Sequence, residues 1–312
     1  GKLNIPILWF FMIKNYNHLI KLFKKNVNIQ NYLKRNTTLK KYEITKIAYD
    51  IQSGSYIDFH YKVKNKLPKI LDPVIKEIKK FKNIKTILDF GTGELTNLSY
   101  IMNNLPSNIK FYANDISLSR LILGKKFIKK KISNKKFKNL NIFCTNHFKL
   151  PFKDNSIDLI ITIQAIEPNN AYKKDLLNEL IRVSKKGLVL MEPHFEIGDQ
   201  KSKKRMKKFG YIRNFEKLIK SYKIPYSIIK KEHHFYSLNP NSIFVMKKNK
   251  KKSNISYRNF VDPVYKDKLK LLNNYYYSDK SKRIYPLIDD IVVFSDDINI
   301  NLINNKLPGY ML

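Results

Sequence analysis

The sequence predicts a doubly wound α/β domain with a mainly parallel seven-stranded sheet, a helical N-terminal extension and a small C-terminal α+β module. Short, nearly all-apolar runs ("TILDF", "KFYAND", "LNIFCTN", "IDLIITIQ", "GLVLMEP") alternate with helical or loop segments such as "GELTNLSYIMNNL" and "KKDLLNELIRVS". Strands apolar on both sides belong to a sheet covered on both faces, and such sheets are parallel. A Gly-x-Gly follows the first run in "ILDFGTGEL" (87–95), where a chain leaving a strand turns back against a ligand.

Residues 1–85 form the helical segment. Within it "KLPKILDPVIKEIKKFKNI" sets Ile70, Val74, Ile75 and Ile78 at helical spacing just before the first strand. The opening "IPILWFFMI" has about nine apolar residues against the ~20 a membrane-spanning helix needs, so it is read as a packing segment without stable membrane insertion. Met12 is read as a candidate natural start. The α/β domain occupies 86–246 and ends in "YSIIKKEHHFYSLNPNSIFVMKK", two strands around an Asn-Pro-Asn turn that close the sheet edge as an antiparallel hairpin. His233 and His234 in that hairpin alternate faces and are read as structural. Residues 247–254 form a Lys-rich linker, and 255–312 the separate module.

At 312 residues and 43% hydrophobic content the chain can bury a full core. Its formal net charge of +36 invites nucleic acid or an anionic membrane as partner. Yet only 7 of the 61 basic residues are Arg, the side chain that reads phosphate and base edges as a fork, and Lys, Asn and Ile abound along the whole chain. Both a solvated Lys surface set by codon bias and a functional basic face fit that composition. The single cysteine, Cys144, excludes an internal disulfide and a multi-cysteine metal site, in keeping with a reducing, cytoplasmic setting.

A dinucleotide fingerprint needs a third glycine, and here Thr96 follows Gly91 and Gly93 at that place. Asp89 before the glycines is poor for phosphate and suited to an amino group. Asp115, closing "FYANDIS", is placed to accept both hydroxyls of a ribose, and Asn146 in "CTNHFKLPF" to face an adenine amino group.

With "LPFKDNSIDLI" and "LIRVSKKGLVLMEP", these blocks resemble the class I S-adenosylmethionine-dependent methyltransferases over about residues 45–245. The resemblance implies a Rossmann-like fold with S-adenosylmethionine as cofactor. It places Gly91 and Gly93 along the methionine part, Asp115 at the ribose and Asn146 with the backbone near His147 at the adenine, with Ile116 a further cofactor-binding candidate. Asn146 departs from the Asp common at that position. The aromatic "AYDIQSGSYIDFHYK" resembles the lid folded over the cofactor in many of these enzymes, with Tyr49, Gln52 and Tyr56 as its candidates.

Methyl transfer from a sulfonium is an in-line displacement, so the protein must align donor and acceptor and, for an alcohol, remove a proton. Candidate bases stand at the ends of the fourth and fifth strands: Glu167 in "QAIEPNN", and Glu192, His194 and Glu196 in "MEPHFE". No metal site is expected. The C-terminal stretch pairs Asp262 with Tyr265 and Ser278 with Ser281 at the two-residue gap of a cysteine knuckle. With "RIYPLIDDIVVF" following, it resembles the small zinc-ribbon-like activator of tRNA and protein methyltransferases with every cysteine replaced. These ligands cannot hold a thiolate zinc site, which implies a metal-free module docked on the catalytic domain in cis. The reading is an enzyme acting on a small-molecule, sugar or lipid-type acceptor. RNA methylation and a non-catalytic cofactor-binding scaffold stand as alternatives.

Overall fold

In the computed structural model, residues 7–146, 148–230, 238–248, 260–294 and 300–301 are described, with backbone alone for 7–14 and 300–301. His147, His233, His234 and most of the Lys-rich linker lie outside the described residues.

Three helices, α1 (Ile7–Lys24), α2 (Ile29–Asn36) and α3 (Lys41–Ile51), open the chain. They share a small core of their own, Leu19, Ile29, Leu33, Ile44, Ile47, Ala48 and Ile51. Next come α4 (Ser55–Val63) and α5 (Leu67–Lys79), and then the α/β succession. It runs β1 (Thr86–Phe90), α6 (Thr96–Asn103), β2 (Lys110–Asp115), α7 (Leu118–Lys129), α8 (Asn134–Lys138), β3 (Leu140–Cys144) and β4 (Ile157–Ile163). It continues with α9 (Lys173–Val183), β5 (Ser184–Pro193), α10 (Gln200–Phe209), α11 (Phe215–Ser221), β6 (Tyr226–Lys230) and β7 (Asn241–Lys247).

The seven strands are ordered β6-β7-β5-β4-β1-β2-β3. Pairs from β3 to β5 are parallel, while β7 runs antiparallel to both β5 and β6, as the terminal hairpin requires. Alternation sends Ile87, Phe111, Ala113, Leu159, Ile161, Val189 and Val245 to one face, under α5, α6 and α7. Their neighbours Leu88, Tyr112, Ile160, Leu188, Leu190 and Phe244 face the other way, against α9 and α11. The strand order reverses between β1 and β4. A ligand cleft opens beyond the carboxyl ends of strands at such a point.

The sheet does not stop at β3. Four further strands, β8 (Lys270–Leu272), β9 (Tyr275–Tyr277), β10 (Arg283–Ile288) and β11 (Ile291–Val293), extend it, and β12 (Ile300–Asn301) pairs with β10. The join is β11 lying parallel to β3, with Val292 opposite Phe143 and Val293 opposite Cys144. Phe294 N–H adds a bond to the Cys144 carbonyl at 2.8 Å. An aromatic cluster of Phe143, Phe152, Phe260, Phe294 and Tyr285 seals the seam. The described part of the module, expected as α+β, contains strands and no helix.

Three of the four knuckle positions meet. Buried Asp262 accepts Val264 N–H at 2.8 Å and Tyr265 N–H at 2.7 Å on Oδ1. Its Oδ2 accepts the hydroxyls of Ser281 and Tyr285, each at 2.7 Å. Ser278 Oγ receives Ser281 N–H at 3.1 Å, whereas the Tyr265 ring turns outward, 58% exposed. A carboxylate with four donors thus joins the two turns. No group of three or more His, Cys, Asp or Glu able to hold a metal occurs among the described residues. Among these residues, too, no helix is long and apolar enough to cross a membrane.

Candidate functional site

The turn after β1 takes its shape from two left-handed glycines, Gly91 at φ +68° and Gly93 at φ +59°. A Cβ on Gly91 would stand 2.5 Å from Ala165 Cβ, so the turn and the loop after β4 approach as only glycine allows. Thr92 N–H bonds the Asn114 carbonyl at 2.8 Å, and Gly93 N–H bonds Asp115 Oδ2 at 3.0 Å. The other Asp115 oxygen accepts Ser117 N–H at 2.9 Å. Ser117 then caps α7 by accepting Arg120 N–H.

Asp89 is 2% exposed and lies just behind the cleft wall, accepting the Thr92 hydroxyl at 2.6 Å. Burial, reinforced by the charge of Asp115 and opposed by the Thr92 bond, pushes its pKa up to about 7. Glu94, the residue after Gly93, is 1% exposed and accepts Gly54 N–H and Ile57 N–H at 2.8 Å each. It thereby holds the first turn of α4. Gly124 lets α7 pack on this segment, since a Cβ there would stand 2.7 Å from the Glu94 carbonyl carbon.

Helices α3 and α4 roof the cleft. Tyr49, Gln52 and Tyr56 gather on one group, the Arg120 guanidinium. Its carbon lies 4.0 Å from the Tyr49 ring centroid and 4.7 Å from that of Tyr56. Arg120 Nη2 donates to Gln52 Oε1 at 3.4 Å, and Ser117 Oγ donates to Asp50 at 2.5 Å. Tyr49, Tyr56, Gly91, Gly93, Asp115, Ile116, Arg120 and Asn146 line one continuous cleft of about 1320 Å³, open mouth included.

The loop after β4 forms a further wall. Glu167 lines it, accepting Asn239 Nδ2–H at 3.1 Å and the Tyr211 hydroxyl. Burial raises its pKa, while those two bonds and the nearby Arg205 charge lower it. Lys41, Tyr42, Phe148 and Tyr172 form the mouth beside it, with Lys41 Nζ 5.5 Å above the Tyr172 ring.

Glu192 and His194 stand elsewhere. Glu192 is fully buried beneath the loop after β4, where Oε1 accepts the Thr162 hydroxyl at 2.6 Å, Ala165 N–H at 3.0 Å and Ile166 N–H at 3.1 Å. Its Oε2 accepts Glu167 N–H at 3.0 Å. His194 is 1% exposed, bonded through Nδ1 to Ser242 Oγ at 2.8 Å and packed on Phe244. Neither lines the cleft. Glu196 bonds Asn214 N–H at the surface. Arg120, Glu94, Ser117 and Gly124 escape a sequence reading because their partners lie tens of residues away in the roof and the turn.

These groups fit S-adenosylmethionine. Carboxylates at and behind the wall suit a ligand bearing an ammonium, a sulfonium and a ribose diol. A Cβ at position 93 would project into open space, and Arg120 Nε is buried with no partner among the described residues.

Sheet order and glycine turn together define a class I S-adenosylmethionine-dependent methyltransferase. A family model described as a methyltransferase domain matches residues 81–239, and the chain belongs to that family. The structure resembles magnesium protoporphyrin IX methyltransferase from Synechocystis PCC 6803 with bound SAH, at TM-score 0.51 and 12% identity over 66% of this chain and 100% of that one. It also resembles a SAM-dependent methyltransferase from Aquifex aeolicus, at TM-score 0.42 and 21% identity over 58% and 97%. No curated protein matches the chain.

Proposed function

We propose that the enzyme methylates a small-molecule, sugar or lipid-type acceptor bound between Glu167 and the aromatic mouth. The observation that carries this reading is the roofed cleft, which Glu167 lines together with the aromatic residues Tyr42, Phe148 and Tyr172. Bound S-adenosylmethionine supplies an electrophilic methyl group on a good leaving group. In this proposal Asp115 accepts the ribose hydroxyls, Ile116 and Asn146 flank the adenine, and Gly91 and Gly93 let the backbone lie along the methionyl chain. Asp89 supplies negative charge behind that turn. Tyr49, Tyr56 and Gln52 exclude water from above. Glu167 orients an acceptor hydroxyl and takes its proton, kept ionisable by Tyr211 and Asn239. Glu192 and His194 are supporting groups that fix the loop and the strand end. The module covers the β3 edge in cis and steadies the strand that leads to Asn146.

Glu167→Gln tests the acceptor side. Removing a general base costs about 100-fold or more in turnover, and cofactor affinity measured by calorimetry should move less than about threefold. The assay offers methyl-labelled cofactor to the low-mass and the RNA fractions of a cell extract. Label should enter the low-mass fraction with little salt dependence. The rival reading, RNA methylation, draws on exposed Tyr42, Phe59 and Tyr172 beside Lys41 at the mouth. Label entering RNA, with a steep fall as salt rises, would establish that reading instead.

Asp89 makes cofactor affinity depend on pH. Its folded pKa of about 7 lies above the ordinary carboxylate range, so the ligand-free fold prefers it protonated. A cationic ligand prefers it ionised. Affinity should therefore rise about tenfold between about pH 6 and about pH 8, with one proton released on binding at the acid end. Calorimetry in buffers of different ionisation enthalpy reads that proton, and Asp89→Asn should abolish the dependence.

A further inference from the structure

Arg120 is 3% exposed and lines the cleft, yet it has no ion-pair partner within 4.0 Å among the described residues. The Tyr49 and Tyr56 rings both pack on it, with centroids 4.0 Å and 4.7 Å from its central carbon. The N–H groups of a guanidinium lie in its plane, so it donates hydrogen bonds through its edges. Nε and Nη2 share one edge. On it Nε is buried without a partner, and Nη2 has only the long 3.4 Å bond to Gln52. A planar edge with two N–H groups matches a carboxylate bidentately, and leaving such a donor unpaired in a buried place is costly.

The charges of the cleft point the same way. Asp115 and Glu167 line it, and Asp89 and Glu94 lie behind the turn. These favour the ammonium and the sulfonium of the cofactor and disfavour its carboxylate. Of the Lys and Arg lining residues, Lys41 stands at the mouth over Tyr172, and Arg120 is the buried one. We infer that Arg120 anchors the carboxylate of the cofactor's methionine moiety through its Nε/Nη2 edge. The anchor ties the roof to the ligand: Tyr49, Gln52 and Tyr56 all pack on the group that would hold the carboxylate. The inference rests on the S-adenosylmethionine assignment.

Decarboxylated S-adenosylmethionine keeps the adenosine, sulfonium and amine and lacks only the carboxylate. Calorimetry should show the wild-type protein binding S-adenosylmethionine at least about tenfold more tightly than this analogue. In Arg120→Met the preference should vanish, with the affinity for S-adenosylmethionine falling toward that for the analogue. In Arg120→Lys, which keeps the charge and loses the fork, the preference should be intermediate. Should Arg120→Met fail to fold, the Lys variant decides, and an unchanged preference there overturns the proposal. Equal binding of the two ligands by the wild type overturns the Arg120 assignment alone, as does a preference that survives in Arg120→Met through equal weakening of both. Failure of the wild type to bind either overturns the cofactor assignment with it.

Discussion

Asp115→Ala is expected to weaken S-adenosylmethionine binding by at least about 100-fold while leaving the protein folded. Hydrogen bonds to a charged group are worth about 1.5–3 kcal/mol each, and two ribose hydroxyls on one carboxylate amount to about 3–6 kcal/mol, or roughly two to four decades in Kd. The carboxylate also organises its surroundings. Its two oxygens already hold Gly93 N–H at 3.0 Å and Ser117 N–H at 2.9 Å, so the Ala variant loosens the glycine turn and the cap of α7 together. Asp115→Asn keeps one carbonyl acceptor in place and should fall between wild type and Ala. Calorimetry measures the affinity, and circular dichroism confirms the fold. Wild-type affinity in the folded Ala variant would remove Asp115 from the cofactor site.

The fold was legible because its strands are short apolar runs with turn chemistry between them, and a buried parallel sheet needs little else in the local sequence. The carboxyl ends of β1, β2 and β4 were legible for the same reason. A strand fixes where its last residue points, so Asp115, which closes β2, and Gly91, next after β1, follow directly, whereas Glu167 stands four residues beyond β4. Less legible was what stands behind those ends. Glu192 is the next-to-last residue of β5, His194 follows that strand and Glu167 lies in the loop after β4, and the linear pattern does not say which of them faces the cleft. That depends on β7, whose Ser242 lies opposite Glu192 and bonds His194, and on the β4 loop folding over Glu192. Arg120, in the first turn of α7, carries no local mark in the sequence. What sets it apart is the packing of Tyr49 and Tyr56, 71 and 64 positions earlier, on its guanidinium. In the C-terminal module the knuckle spacing pointed to two turns, but that Asp262 would join them by hydrogen bonds is a property of the folded turns. The parallel pairing of β11 with β3 left no local signature, because an edge pairing of two short strands depends on the neighbour's exposed backbone and not on a pattern within either strand.

Glu192→Ala is expected to cost about 3–5 kcal/mol of folding stability, with any loss of turnover secondary to that. The side chain accepts four donors in a place without solvent: the Thr162 hydroxyl and the N–H groups of Ala165, Ile166 and Glu167. Truncation leaves those donors buried and unpaired, each at a cost of about 1–3 kcal/mol, and partial relaxation of the loop keeps the sum below the simple total. Because the same loop carries Glu167 and meets Gly91 through Ala165, its loosening should also widen the cleft. The pH dependence supplies an independent check. Burial pushes the Glu192 pKa up to about 8 in spite of its donors, above the ordinary value of 4.5. The folded state therefore retains a proton that the unfolded chain releases, so this group's contribution is full in acid and is lost as pH rises through about 8. Glu192→Gln should flatten that part of the stability profile. Urea denaturation at several pH values reads both effects. A Glu192→Ala variant with wild-type stability and abolished turnover would instead move Glu192 from the supporting groups to the chemistry.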